Sequence, residues 1–228
     1  MARRSSSSRR SPGRVLPSDR GLPGGGSVLN TVRAFFAVNL TREIRESIAQ
    51  VERSAGPALS GEPIRWTRPE TIHLTLRFLG ETTAARLDSI RLGAEASARS
   101  WASFDLHIAG LGCFPDIRRP RIIWVGASDQ SGSLERIVRD LEVLARAAGF
   151  SPEERAFSAH LTIGRVRDRL SPDGARRFAS YLGDSSMMDF GSIHIESVDL
   201  MRSELKPAGP VYNLIAALAL GAVRMGSS

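Results

Sequence analysis

Two histidines, His73 and His160, each stand two residues before a threonine inside an apolar run: His73-Leu74-Thr75-Leu76 in TIHLTLRFLG and His160-Leu161-Thr162-Ile163 in FSAHLTIGRV. Extended backbone points successive side chains to opposite faces. In each run the imidazole and the hydroxyl therefore share one face, and the leucine-like residues share the other. Two such faces brought together would set two imidazoles and two hydroxyls around one cleft. Imidazoles titrate near neutral pH, so a neutral one and a charged one can serve as base and acid in the same step. Hydroxyls can hold the non-bridging oxygens of a phosphate ester while charge develops on them. The bland alternative is a pair of half-buried strand histidines that bond locally. Metal chemistry is the competing reading, but catalytic zinc usually takes three protein ligands. Neither motif contains a carboxylate or a third histidine, so no metal ligand set and no cofactor are expected.

The surroundings of the two motifs also match. From 73 to 160 is a separation of 87 residues, and the apolar runs beginning at Arg33 and Arg121 are offset by 88. Downstream, the segments beginning at Phe104 and Phe190 are offset by 86. A shared offset is the mark of an internal duplication, and two copies make a two-lobed domain. His107 and His194 fall at matching places in these downstream segments. Neither has threonine at +2, and both are expected to be ordinary strand histidines.

Helical spacing fills the intervals. Thr41 caps a run carrying Ile44, Ile48 and Val51, and Thr83 starts one with Leu87, Ile90 and Ala94. Ser133 precedes Leu134, Ile137, Val138, Leu141 and Leu144, with Gly149 as the stop. Ser171-Pro172 opens a fourth helix that Gly183 closes. Val198–Met201 and Tyr212–Ala219 add strands, the latter expected to be buried. Each half thus reads strand, helix, His-x-Thr strand, helix, strand. The predicted class is α+β: a bilobal duplicated domain of two antiparallel sheets, with helices on their outer faces and a central groove carrying both motifs.

Hydrophobic residues make up 42% of the chain, ordinary for a globule, and no apolar run is long enough for a transmembrane helix. No membrane association is expected. The single cysteine, Cys113, forms no internal disulfide and fits a reducing compartment, so a cytoplasmic protein is expected. The net charge is +7, but residues 1–30 hold six arginines against Asp19, which places five of those seven charges there. That segment, rich in Ser, Gly, Pro and Arg, reads as a disordered basic tail. The expected division is tail 1–30, catalytic domain 31–221 and a short tail 222–228. Lys206 is the lone lysine among 31 basic residues. The arginine excess therefore reflects composition bias rather than an RNA-binding surface, although Arg118, Arg119 and Arg121, or Arg165, Arg167 and Arg169, are compatible with phosphate contacts.

The segments RAFFAVNL, IRWTRPETIHLTLRFLGE, LGCFPDIRRPRIIWVG, FSAHLTIGRV and VDLMRSELKPAGPVYNLI, in this order over about residues 32–218, resemble the two-histidine phosphoesterase superfamily. Within it they are most similar to the RNA 2′,3′-cyclic phosphodiesterases, also called 2′-5′ RNA ligases. Ala159 departs from the proline usual before the second histidine. The resemblance implies hydrolysis of RNA 2′,3′-cyclic phosphate ends to 2′-phosphomonoesters, with weak reverse ligation. It implies His73 as proton donor and His160 as proton acceptor, and Thr75, Thr162 and Arg165 as phosphate-binding residues. The partner it implies is RNA with a cyclic phosphate end, such as tRNA halves, met by a monomer. Two other readings remain: a related phosphodiesterase for a small cyclic nucleotide or an ADP-ribose cyclic phosphate, and a nucleotide-binding module without turnover. Arg165 carries a difficulty of its own. Five residues after His160, it should face away from the histidine unless Gly164 permits a bulge.

Overall fold

The structure, a computed structural model, describes residues 31–207 and 209–221; the two tails expected at 1–30 and 222–228 lie outside the described residues. The described chain runs β1 (Val32–Asn39), α1 (Arg42–Ala55), β2 (Ile64–Trp66), a 3₁₀ turn (Pro69–Thr71), β3 (His73–Thr82), α2 (Ala84–Ala98), β4 (Phe104–Phe114), β5 (Ile122–Ser128), α3 (Ser133–Ala147), β6 (His160–Val166), α4 (Pro172–Ser185), β7 (Asp189–Ile195), β8 (Ser197–Lys206) and β9 (Gly209–Ala219). The α+β duplicated architecture is as expected. None of the described helices is long and apolar enough to cross a membrane.

The helices begin where their caps dictate. Thr41 Oγ1 accepts from Ile44 N (3.4 Å), Thr83 from Arg86 N (3.5 Å) and Ser171 Oγ from Gly174 N (2.9 Å). Two ends differ from the sequence reading. Ser133 is the first helical residue rather than a cap, and Asp129 Oδ2 instead accepts from Leu134 N (2.9 Å) across a left-handed Gly132. Helix α4 runs past Gly183 to Ser185, because Gly183 keeps a helical conformation and no residue there forces a stop.

Strand order is β7-β4-β5-β6-β3-β1-β8-β9, with β2 also pairing β6. The two expected sheets are thus the two halves of one path, joined where Leu74 of β3 faces Leu161 of β6. Each lobe borrows strands from the other half: β2 and β4 join the lobe of β5 and β6, and β8 and β9 join the lobe of β1 and β3. In the lobe of β5 and β6, β4 from the first half lies between β5 and β7. In the lobe of β1 and β3, β8 from the second half lies between β1 and β9. The positional counterpart of β4 is therefore β8, not the β7 that the Phe104–Phe190 spacing suggested; β4 and β7 are neighbours, with Phe104 opposite Ile195. Strand β9 is an edge strand with Asn213 and Leu214 exposed and Leu218 buried, not the buried strand its apolar composition suggested.

Helices cover one side of this path. Ile44, Ile48 and Val51 of α1, Leu87 and Ile90 of α2, Ile137 and Leu141 of α3 and Phe178 of α4 join Leu74, Leu76, Leu161 and Ile163 in one core. A smaller cluster of Phe35, Ala37 and Met201, with Tyr212 against it, occupies the other face. At full burial each large apolar side chain contributes about 1.5–3 kcal/mol.

A buried arginine ties the motif strand β3 to the chain leading into β6. Arg77 is 6% exposed. Its Nε donates to Glu142 Oε2 on α3 (2.7 Å) and its Nη2 to the Ser151 carbonyl (2.5 Å), while Nη1 approaches Glu153 (3.5 Å) and the Phe78 carbonyl. Glu142 is held below the usual carboxylate range: burial raises it, but Arg146 and Arg77 outweigh that. Removing Arg77 leaves the Phe78 and Ser151 carbonyls without this donor, while Glu142 keeps Arg146 at 2.8 Å. Arg77→Ala is expected to lower stability by about 1.5–3 kcal/mol, the scale of hydrogen bonds to a charged group, in urea titration of the full chain, with the slope of the transition unchanged.

Candidate active site

The alternation expected of the motifs is present. Leu74 and Leu161 are buried, and His73, Thr75, His160 and Thr162 are partly open on the face away from the helices. The antiparallel pairing of Leu74 with Leu161, carried one step either way, sets His73 across from Thr162 and Thr75 across from His160. All four sequence-predicted residues thus meet at the junction of the lobes, related by a pseudo-twofold axis through the leucine pair.

Each motif strand carries a bulge at the same place. In β3, Thr75 faces Ala37 of β1 but Arg77 faces Phe36, so Leu76 is the extra residue. In β6, Thr162 faces Trp124 of β5 but Gly164 faces Ile123, so Ile163 is extra. A bulge shifts the alternation by one. The fifth residue after each histidine therefore returns to the histidine face: Phe78 opposite Phe35, and Arg165 opposite Ile122. This resolves the parity difficulty of Arg165. Gly164 is used on the core side, where a Cβ would lie 3.2 Å from the Trp66 ring and 3.3 Å from Ile123.

Both imidazoles are oriented by the same device. His73 Nδ1 lies 2.8 Å from the carbonyl of Thr71, and His160 Nδ1 lies 2.7 Å from that of Ser158, in each case two residues upstream. A carbonyl can only accept, so Nδ1 bears the hydrogen and Nε2 is left for a ligand. The 3₁₀ turn, closed by Thr71 N on the Arg68 carbonyl (2.9 Å), sets the first of these carbonyls.

The symmetry ends at the surroundings. His73 is stacked on Phe35 at 4.8 Å and meets the edge of Tyr212 at 5.0 Å. Burial pushes its pKa below the ordinary histidine value. The charge of Arg45 adds to this, and the Thr71 carbonyl opposes it in part. His160 meets the edge of Phe114 at 5.1 Å, and Phe114 in turn packs on Trp124 at 5.3 Å. Trp124 lies flat over Gly112, where a Cβ would come within 2.2 Å of its ring. Two polar atoms in this region are buried without a hydrogen-bond partner: Trp124 Nε1, and Asp199 Oδ1, whose other oxygen accepts from Asn39 Nδ2 at 2.6 Å. Asp199 faces Ala37, which faces Thr75 on its other side. Phe35, Tyr212, Trp124 and Asp199 were not singled out from the sequence. The available signal was apolar residues on both faces of β1, since Phe35 and Phe36 cannot share one.

His107 and His194 lie elsewhere. His194 Nδ1 pairs with Asp105 at 2.7 Å, and His107 Nδ1 is 3.2 Å from Ser192 Oγ, on the β4–β7 rim at the outer end of one lobe. Cys113 is half-buried beside the core, and burial raises its thiol pKa. Among the described residues no group of three or more His, Cys, Asp or Glu side chains could hold a metal ion.

Similarity to known proteins extends over both halves of the chain. The family model described as LigT like phosphoesterase matches the chain twice, over residues 38–124 and 125–212. A Methanothermobacter thermautotrophicus protein named RNA 2′,3′-cyclic phosphodiesterase is 32% identical over 181 residues, covering 79% of this chain and 95% of that one. A Thermus thermophilus protein of the same name is 33% identical over 197 residues, covering 83% and 90%. Among solved structures, TT0787 of Thermus thermophilus superimposes with a TM-score of 0.69 at 26% identity over 84% of this chain and 99% of that one. E. coli LigT complexed with 3′-AMP shares the fold, with a TM-score of 0.65 at 24% identity over 83% and 98%. With one His-x-Thr motif falling inside each of the two matched halves, the chain belongs to the LigT-like phosphoesterase family.

Proposed function

We propose that this protein hydrolyses RNA 2′,3′-cyclic phosphate ends to 2′-phosphomonoesters without a metal, using His73 and His160 as proton donor and acceptor. The observation that carries the reading is the repeated Nδ1–carbonyl bond. It leaves both Nε2 atoms for a ligand at a junction that also holds Thr75 and Thr162. The name shared by the curated relatives supports the substrate class.

In the proposed step a water attacks phosphorus in line with the 3′-oxygen. His160 Nε2 takes the water's proton as the new P–O bond forms. His73 Nε2 gives its proton to the departing 3′-oxygen, which leaves as a hydroxyl, and the phosphate stays on the 2′-oxygen. Thr75, Thr162 and Arg165 hold the non-bridging oxygens and offset the charge that builds on them. With the 5′-hydroxyl of a second RNA in place of the water, the same two proton transfers join it to the 2′-phosphate and release the 3′-hydroxyl, which is the weak 2′-5′ ligation included in this proposal. The proposal extends to tRNA halves as substrates of a monomeric enzyme, as the family resemblance implies. The buried surroundings of His73 disfavour its charged form. A bound phosphate supplies the negative charge that restores it, so the donor is loaded as substrate arrives.

His73→Ala and His160→Ala are each expected to lower kcat on a 2′,3′-cyclic end by about 10²–10⁴, with the double variant little worse than the poorer single one. Near-wild-type turnover in either single variant would sink the paired mechanism. The pH dependence follows from the sign of the His73 shift. The donor must be charged, so kcat/KM should fall as pH rises through a value below about 6.5. With phosphate bound, the corresponding limb of kcat should lie at higher pH. Coincident limbs in the two profiles would remove the donor role from His73. Prolonged EDTA treatment should leave turnover intact; loss of activity restored by added zinc or manganese would overturn the metal-free step.

A further inference from the structure

Beyond the second motif, Arg165 faces Arg65 of β2 across an antiparallel pair. Residues directly opposite share a face. The flanking pairs, Ile64 with Val166 and Trp66 with Gly164, turn into the core. Both arginines therefore project from the histidine side, and both are exposed. Arg68, three residues on from Arg65, donates from Nη2 to the Pro210 carbonyl at 3.1 Å. A Cβ placed on Gly209, which sits at φ +122°, would lie 2.9 Å from Arg65 Nη2 and 4.0 Å from Arg68 Nη2. The tip of the β8–β9 hairpin, from one lobe, thus reaches the arginines of β2 and the turn after it, and gathers two guanidinium groups at one point.

The position of that point is informative. Gly209 is three residues along β9 from Tyr212, or about 10 Å of strand, and the Tyr212 ring lies edge-on to His73. The charge of Arg165 acts on Tyr212, opposing the rise that burial imposes on its hydroxyl. Arg165 lies on β6 with His160, three residues beyond Thr162, and Arg65 lies on the neighbouring strand β2, with Arg68 in the turn after it. Guanidinium groups gathered on one face suit a bound phosphate. An RNA substrate carries a second anion beside the reacting one, the preceding phosphate of its backbone.

We propose that Arg65 and Arg68, lying beyond Arg165 as seen from the histidines, form a second phosphate subsite for the internucleotide phosphate preceding the cyclic end. The substrate is then an oligonucleotide of at least two residues rather than a mononucleoside cyclic phosphate. This inference rests on the reaction proposed above, and the test separates the two.

The paired substrates are adenosine 2′,3′-cyclic phosphate and the dinucleotide ApA ending in the same cyclic phosphate. The paired products are adenosine 2′-phosphate and ApA 2′-phosphate, whose binding is measured by calorimetry. Arg65→Gln is expected to lower kcat/KM for the dinucleotide by about 10- to 100-fold more than for the mononucleotide, the scale of one charge-assisted hydrogen bond, with the loss in KM. The salt dependence of dinucleotide binding should weaken by about one counterion. Arg65→Lys should restore most of the preference, which a lost structural contact would not predict. An equal loss on both substrates, or no loss on either, overturns the subsite. Wild-type protein that turns over both with equal kcat/KM keeps the reaction and removes the subsite. Wild-type protein that turns over neither, yet binds ApA 2′-phosphate tighter through Arg65, keeps the subsite and removes the reaction. Failure to distinguish the two products in binding, together with no turnover, removes both.

Discussion

Everything at the candidate site depends on one ladder contact, Leu74 facing Leu161 where the two lobes join. A strand has only two faces, so burying these leucines against the helices commits their neighbours to the opposite side. An antiparallel pair also runs in opposite senses through its centre, so the histidine of each strand arrives beside the threonine of the other. The chemistry is thus assembled from a pairing rule and two apolar side chains, and only the Thr71 and Ser158 carbonyls just ahead of the strands are needed to aim the rings. A slip of one residue between β3 and β6 would move one motif's whole set to the core side, so the leucine contact fixes position and orientation together.

On that symmetric base the chain places unequal surroundings. The same carbonyl bond aims both rings, but Phe35 and Tyr212 enclose His73 while Phe114 meets His160 only at its edge. At the matched bulge position one strand presents a phenyl ring and the other a guanidinium. A reaction in which one group gives a proton and another takes one needs such inequality. It is supplied by side chains that pack around the motifs, while the backbone under them stays duplicated.

Much of this was legible in the sequence because it rests on local rules. Period-two alternation exposed the motif faces, caps at Thr41, Thr83 and Ser171 marked helix starts, and the spacing of 87 residues revealed the duplication. What escaped was set by distant partners. The reversal of face at Arg165 depends on a bulge measured against β5, and the alternation of β6 read alone points the side chain the wrong way. Phe104 and Phe190 have similar sequences and nearly the right spacing, yet their strands are neighbours, because strand exchange gave the counterpart role to β8. Tyr212 lies on an edge strand whose apolar composition looked like core, while its ring belongs to the histidine face. The arginine pair at 65 and 165 is invisible until β2 is known to lie against β6.

The exchange of β4 and β8 between lobes also governs how the chain can come into being. Arg33 of β1 takes its partner from Ser203 of β8, near the other end of the described chain. During synthesis the first-made lobe therefore carries an open strand edge until the last strands leave the ribosome, and such edges are prone to mispairing. Long-range closure of this kind also slows folding. Neither half of the duplication can complete a lobe alone, since each contains a strand that belongs to the other. Were a single half the ancestor, two copies would have had to trade strands to close their sheets, as swapped dimers do. The present chain has the layout of such a dimer with its two subunits joined end to end.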